Sequence, residues 1–304
     1  MFHAMGVGLS LQALYNGAAV AVYSLPEPRA LVELIRRNRP TILPLVPTAI
    51  RMLLDDPHAA TADFSSVRTI VYAGSSIGLD LLKRAMAAFR CDFIQFYGST
   101  ETCAGILFLR PDQHRSADEN ILASCGSPLP LIGVKIADAE GRELPDGSVG
   151  ELLIRSPSIT TGYFNQPVMT AAAFHDGWYR SGDAGYRDPD GLLHIVDRVK
   201  DMIVTGGENV YSTEVENAVH TLPGVQLCAV VGLPDATWGE RVVAVVVCQP
   251  ETEMTENLVI SHCRNLIARY KVPKEVKFVS ELPMTPSNKV MKRVLREQFT
   301  VDVR

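Results

Sequence analysis

From residue 18 to about residue 100, short apolar runs alternate with stretches of helical periodicity, and few folds accept that alternation. Strand-like runs fall at 18–23, 41–46, 67–73 and 92–97. Helical stretches fall at 28–38, 47–55 and 79–89, with Pro28 suited to a first helical turn and Pro40 to ending one. The strand runs show little polar alternation, so both faces must be covered, as in a parallel sheet flanked by helices. The expectation is an α/β sheet whose strand ends carry the ligand.

Between residues 125 and 196 the pattern shifts to short alternating segments at 134–138, 150–154, 183–187 and 192–196. Pro145-Asp146-Gly147 and Asp188-Pro189-Asp190-Gly191 supply turn chemistry between them. This predicts a small antiparallel, barrel-like subdomain. Beyond Arg198 the pattern is that of a compact α+β unit. Its strands are expected at 202–204, 225–231, 242–247 and 276–279, its helices at 213–222 and 258–269, and a last helix after Lys289.

The chain has 304 residues, 47% hydrophobic and 21% charged, enough apolar material for two domains. Its 29 basic residues stand against 34 acidic ones, so no basic field recommends nucleic acid as a partner. Six scattered cysteines form no Cys-x-x-Cys pair and no zinc-spaced cluster, which suits thiols in a reducing, cytoplasmic compartment. Residues 1–26 carry no Lys, Arg, Asp or Glu, but Asn16-Gly17 interrupts the apolar run before it reaches the roughly 20 residues that span a bilayer. A basic n-region is missing as well. The segment is therefore read as a buried helix over 7–15 and a buried strand over 18–23. Opening at Met1-Phe2-His3 without an exposed polar lead is abrupt for an independent domain.

Several short motifs carry chemistry. Tyr97-Gly98-Ser99-Thr100-Glu101 closes a strand where phosphate ligands dock, with a hydroxyl for a phosphate oxygen and a hard carboxylate oxygen suited to Mg²⁺. A plain glycine turn would explain it equally. Gly74 and Ser75 end the preceding strand with little bulk, allowing a nucleotide to approach the backbone, or forming a simple turn. In Tyr179-Arg180-Ser181-Gly182-Asp183, the Asp183 carboxylate could accept two hydrogen bonds from a ribose diol, although an ordinary hairpin acid also fits. Arg198-Val199-Lys200-Asp201 has the composition of a solvated linker. Gly206-Gly207 precedes a helix that Ser212 or Thr213 could cap.

In order and spacing along nearly the whole chain, these motifs resemble the adenylate-forming enzymes, in particular the acid–CoA ligases. Lys289 in Pro283-Met284-Thr285-Pro286-Ser287-Asn288-Lys289 resembles the adenylation lysine of that family, with Asn288 where glycine is more usual; asparagine tolerates a left-handed backbone. Phe2-His3, Gly150-Glu151-Leu152, Gly162-Tyr163-Phe164 and Trp238-Gly239-Glu240 match the family too. The family's upstream phosphate-gripping loop does not occur in this sequence, so the resemblance implies a ligase lacking its N-terminal portion. It implies residues 1–198 as part of a large AMP-binding domain, with 1–124 the α/β sheet and 125–198 the antiparallel subdomain, and 199–304 as a mobile cap.

The implied reaction joins a carboxylic acid to ATP with release of pyrophosphate, and CoA thiol then displaces AMP. In that scheme Lys289, Thr100 and Glu101 are catalytic, with Glu101 also holding Mg²⁺. Gly74, Ser75, Tyr97, Gly98, Asp183 and Arg198 bind nucleotide, Gly206 and Gly207 line the CoA entry, and Lys200 is the hinge. His3, Val46 and Pro47 line the acyl pocket. With Met5, Gly6 and Gly74 they make a neutral, mostly apolar wall. Relatives that activate amino acids have Phe-Asp where this chain has Phe2-His3, so an apolar fatty or aromatic acid is expected. A binding module without catalysis, and an acceptor other than CoA, are the alternatives; oligomeric state is left open.

Overall fold

The computed structural model describes residues 4–22, 27–103, 105–285 and 289–301, so His3 and residues 286–288 lie outside it. The chain divides into two compact units, Met1–Ser181 with Gly185–Ile195, and Gly182–Ala184 with Val196–Arg304.

The first unit opens with helix α1 (Ala4–Tyr15), followed by α2 (Pro28–Asn38), β1 (Ile42–Leu45), α3 (Pro47–Asp55), β2 (Thr69–Ala73), α4 (Leu79–Phe89) and β3 (Asp92–Gly98). Prolines occupy the first turns of α2 and α3, where a missing N–H costs nothing. Helices α2 and α4 end on Arg39 and Arg90 in the left-handed conformation, each amide returning to a carbonyl four residues back. Strands β1, β2 and β3 pair in parallel, with Leu45 opposite Tyr72 and Ala73 opposite Phe96. Leu31, Ile35, Leu43, Ile50, Tyr72 and Phe93 are almost wholly buried in one core with the flanking helices. The alternating pattern thus becomes the covered parallel sheet it calls for.

Two expectations about the first 23 residues fail. The helix forms, but it is not buried: Leu11 is 61% and Tyr15 93% exposed. Residues 18–22 form no strand, and Tyr23 is outside the described residues. Apolar composition shows that a segment can be buried, not that a neighbour is there to bury it.

Strand β4 (Gly105–Leu109) turns back antiparallel on β3, and after the short helices α5 (Pro111–His114) and α6 (Glu119–Ala123), β5 (Ser127–Pro128) completes that five-stranded sheet. A second sheet follows: β6 (Gly133–Ala137), β7 (Gly150–Arg155), helix α7 (Pro167–Ala173), β8 (Phe174–His175), β9 (Trp178–Arg187) and β10 (Leu193–Arg198). Its strand order β10-β9-β7-β6, with β8 on β9, is open and antiparallel, so the barrel-like expectation reduces to an unclosed sheet. The two sheets join where Cys125 N–H donates to Leu193 O at 2.7 Å and Leu193 N–H donates to Gly126 O at 3.0 Å. Gly126 holds φ +77°, and a Cβ there would lie 2.0 Å from the Phe108 carbonyl oxygen.

The second unit holds β11 (Ile203–Thr205), β12 (Glu208–Val210), α8 (Ser212–His220), β13 (Val225–Asp235), β14 (Gly239–Cys248), α9 (Glu256–Arg264), β15 (Glu275–Phe278) and α10 (Lys292–Val301). The long β13–β14 hairpin is its spine, and Val230, Val231, Val243 and Val245 are fully buried on its two faces. Helix α9 stops at Arg264, short of the expected 269. There the backbone tightens, with Leu266 N–H donating to Cys263 O at 3.0 Å.

In the turn between β9 and β10, the buried Asp188 accepts from the amides of Asp190 and Leu192, from Asn120 Nδ2 at 2.9 Å, and shares a 3.0 Å bond with His194 Nε2. Burial opposes its ionised form, but donation led by His194 outweighs this and holds the carboxyl below its ordinary range. A depressed folded value means stability that is present above the unfolded pKa of about 4 and lost as pH falls through the folded one. Asp188→Asn should therefore flatten the acid limb of the thermal-melting profile below about pH 4 relative to wild type. Gly126→Ala should lower the unfolding free energy measured by urea titration by at least about 2 kcal/mol, since it adds a backbone clash to a left-handed residue.

Candidate active site

Parallel pairing puts the C-terminal ends of β1, β2 and β3 on one edge of the first sheet. Val46 and Pro47 follow β1, Gly74 and Ser75 follow β2, and Tyr97 and Gly98 close β3. Gly74 holds φ +93°, and a Cβ there would stand 3.7 Å from Val46 Cγ1, so these two expected residues are neighbours. Pro47 is buried and Ser75 exposed. The β3–β4 register shifts between Tyr97 and Gly98, an irregularity of the kind that re-aims side chains.

The following turn is built by Thr102, which is 1% exposed. Its hydroxyl accepts from Ser99 N–H at 2.9 Å and donates to Ser99 O at 3.0 Å, while Cys103 N–H donates to Thr100 O at 3.0 Å. Thr100 is left exposed and Glu101 half-buried. The Glu101 carboxylate is not simply solvated: Tyr163 Oη donates to its Oε1 at 2.9 Å. Tyr179, 4% exposed, is electrostatically coupled to both Glu101 and Tyr163. Burial first, then these neighbours, push both phenols above the ordinary tyrosine range. The link from Tyr163 to Glu101 was not foreseen from sequence. Its one signal was that Gly162-Tyr163-Phe164 belongs to the same motif set as Glu101.

Strand β9 contributes residues to both units, Tyr179 to the first and Asp183 to the second. Within the second unit Arg198 Nε donates to Asp183 Oδ1 at 3.0 Å. Lys289 belongs to this group although it lies about ninety residues further along the chain. Its side chain is exposed over much of its surface, yet its amine falls below the ordinary lysine range, first through lost solvent, then through Arg198, with Asp183 opposing. The loop bearing it is closed at its base by Thr285 N–H to Lys289 O at 2.8 Å and Met291 N–H to Pro283 O at 2.8 Å. The second unit thus gathers Asp183, Arg198 and Lys289, and the first gathers Val46 with Gly74 and, on its β3 turn, Thr100 with Glu101.

Lys200 is exposed in a 3-10 turn (Val199–Asp201), where Asp201 pairs with Arg296 at 2.6 Å. Gly206 and Gly207 form the two-residue turn of the β11–β12 hairpin, both at positive φ, as its tight geometry requires. A Cβ on Gly206 would strike the Trp238 ring at 2.9 Å. Contrary to expectation, neither Ser212 nor Thr213 caps α8; Tyr211 holds the cap position, and the Ser212 hydroxyl donates to Asp197 Oδ2 at 2.7 Å.

Among the described residues no group of three or more His, Cys, Asp or Glu could hold a metal by itself. The donors on the β3 turn nevertheless fit Mg²⁺, which is commonly held by one or two carboxylates with substrate phosphates and water. No described helix is long and apolar enough to cross a membrane.

Comparison with known proteins identifies the family. Residues 1–164 match the model of the AMP-binding enzyme family, and 214–289 match that of the AMP-binding enzyme C-terminal domain. The chain is 38% identical over 300 residues to a feruloyl-CoA synthase of Amycolatopsis sp, covering 98% of this chain and 60% of that protein. It is 38% identical over 301 residues to the fatty acid–[acyl-carrier-protein] ligase ScoC of Streptomyces coeruleorubidus, covering 99% and 58%. The solved amide bond synthetase McbA of Marinactinospora thermotolerans superposes with a TM-score of 0.88 at 36% identity, over 97% of this chain and 59% of that one. The chain therefore spans about 60% of the length of the curated relatives it matches. With both family models matched in order along one chain, this protein belongs to the AMP-binding, adenylate-forming enzyme family.

Proposed function

We propose that this chain carries the adenylate-handling part of an ATP-dependent acid–CoA ligase acting on an apolar fatty or aromatic carboxylic acid. The observation that carries the reading is the gathering of Asp183, Arg198 and Lys289 within one unit, with Lys289 electrostatically coupled to the other two. A ribose diol suits the paired Asp183 and Arg198, and a lysine beside it suits the negative charge shared by an acid carboxylate and the α-phosphate of ATP.

In this reading the acid carboxylate attacks the α-phosphorus, the bond to the β-phosphate oxygen breaks, and pyrophosphate leaves. Thr100 donates to an α-phosphate oxygen, and Lys289 bridges carboxylate and phosphate. Such transfers depend on positioning and charge neutralisation more than on covalent help from the protein. Glu101 would hold Mg²⁺, which when bound neutralises phosphate charge. Tyr97, Gly98, Gly74 and Ser75 face the nucleotide, and Val46 and Pro47 the acyl group.

For the second step the CoA thiol attacks the acyl carbon and AMP leaves. Gly206 and Gly207 supply a turn without side chains along the thiol's approach, and a division near Arg198 with Lys200 as pivot would let residues 199–304 withdraw Lys289. The relatives' names include CoA, acyl-carrier-protein and amide-forming enzymes, so mass analysis of the product made with and without CoA identifies the acceptor.

Lys289→Ala should lower acid-dependent pyrophosphate release by about 10²–10³-fold, the scale for losing one preorganised charge-stabilising group. Thioester formation from supplied acyl-adenylate should be spared. Because its amine titrates below the ordinary lysine range, the first step should also decline on the alkaline side earlier than an ordinary lysine would require. Equal loss of both half-reactions would contradict the assignment.

A further inference from the structure

The segment from Ser156 to Tyr163 is fastened to the Glu101 turn at three points. Ser158 Oγ donates to Thr102 O at 2.9 Å, Thr160 N–H donates to Glu101 O at 2.8 Å, and Tyr163 Oη donates to Glu101 Oε1 at 2.9 Å. Two of these fix the backbone of the turn. The third fixes the carboxylate itself.

Tyr163 is itself held from behind. Its N–H donates to Thr170 Oγ1 of α7 at 2.9 Å, and Gly162 lies so close to Thr170 that a Cβ would meet its Cγ2 at 2.5 Å. The only residue that fits beside Tyr163 at that approach is glycine. Tyr179, buried on β9, lies near enough to couple electrostatically to both Tyr163 and Glu101. The phenol that meets Glu101 is thus fixed through its backbone at one end and through its bond to the carboxylate at the other.

We propose that Tyr163 is a positioning residue for the cation site at Glu101, its hydroxyl holding the carboxylate in one orientation for a divalent ion. The inference rests on the assignment of Glu101 to Mg²⁺ above. An unrestrained glutamate would spend rotamer entropy on each binding event; this one has already been ordered. Removal of a group that orients a metal-holding carboxylate commonly weakens the metal by 10–100-fold.

The test is Mn²⁺ titration of this chain, followed by electron paramagnetic resonance at saturating AMP, with wild type, Tyr163→Phe, Tyr179→Phe and Glu101→Gln compared. AMP affinity is measured in parallel without metal. Tyr163→Phe should weaken Mn²⁺ by about tenfold or more while leaving metal-free AMP affinity unchanged, and Tyr179→Phe should act in the same direction with a smaller effect. Wild-type Mn²⁺ affinity in Tyr163→Phe overturns the inference. So does an equal loss of metal-free AMP binding, which marks a merely structural role. Unchanged Mn²⁺ binding in Glu101→Gln, or none in wild type, instead removes the metal assignment on which the inference stands. Should Tyr163→Phe fail to fold, Tyr179→Phe decides by the same criteria.

Discussion

Parallel pairing of three short strands is the constraint on which the first unit's chemistry depends. Parallel strands need crossover connections, and α3 and α4 supply them here by returning the chain to the same edge after each strand. Every strand therefore releases its next residues at one rim. Val46, Gly74 and Gly98 have no sequence relation to one another, yet the sheet gives them a common border. The antiparallel return of β4 then ends the parallel series and leaves the Glu101 turn at that rim, where ligands of open α/β sheets collect.

The second unit reaches its charged group by a different route. Two of its members come from an antiparallel pair, where Asp183 on β9 and Arg198 at the end of β10 make a 3.0 Å contact. The third arrives on a loop closed by its own backbone bonds just before α10. That helix is pinned by Lys292, which bonds Ser212 Oγ at 2.5 Å and Glu216 at 2.7 Å, and by Arg296 on Asp201. Pairs this sheltered from water hold their geometry more firmly than surface pairs do, and removal of one partner would leave a buried charge. The Lys289 loop thus leads into a rigid anchor.

Local signals carried most of the fold. Prolines 28 and 47 marked helix starts to the residue, and the valine-rich runs marked β13 and β14, because those features act through the residue itself. What failed depended on neighbours. Nothing in the composition of residues 4–22 distinguishes a buried helix from an exposed one, and the run at 18–22 has strand composition without a partner to pair with. Strand β4 was missed since Gly105–Leu109 is five residues sitting next to a turn already assigned to a motif. The site was legible as a set of motifs, but not as contacts. A tyrosine sixty-two residues from Glu101 has no sequence signature saying that its hydroxyl ends on that carboxylate.

The central claim is that a nucleoside monophosphate is gripped through its ribose by Asp183. Calorimetric titration of this chain with AMP, beside Asp183→Asn, addresses it most directly. The account predicts saturable one-site binding that falls at least about tenfold in the variant, as expected when charge-assisted hydrogen bonds to a carboxylate are lost. Absence of AMP binding to the wild-type chain, or equal affinity in Asp183→Asn, would contradict it.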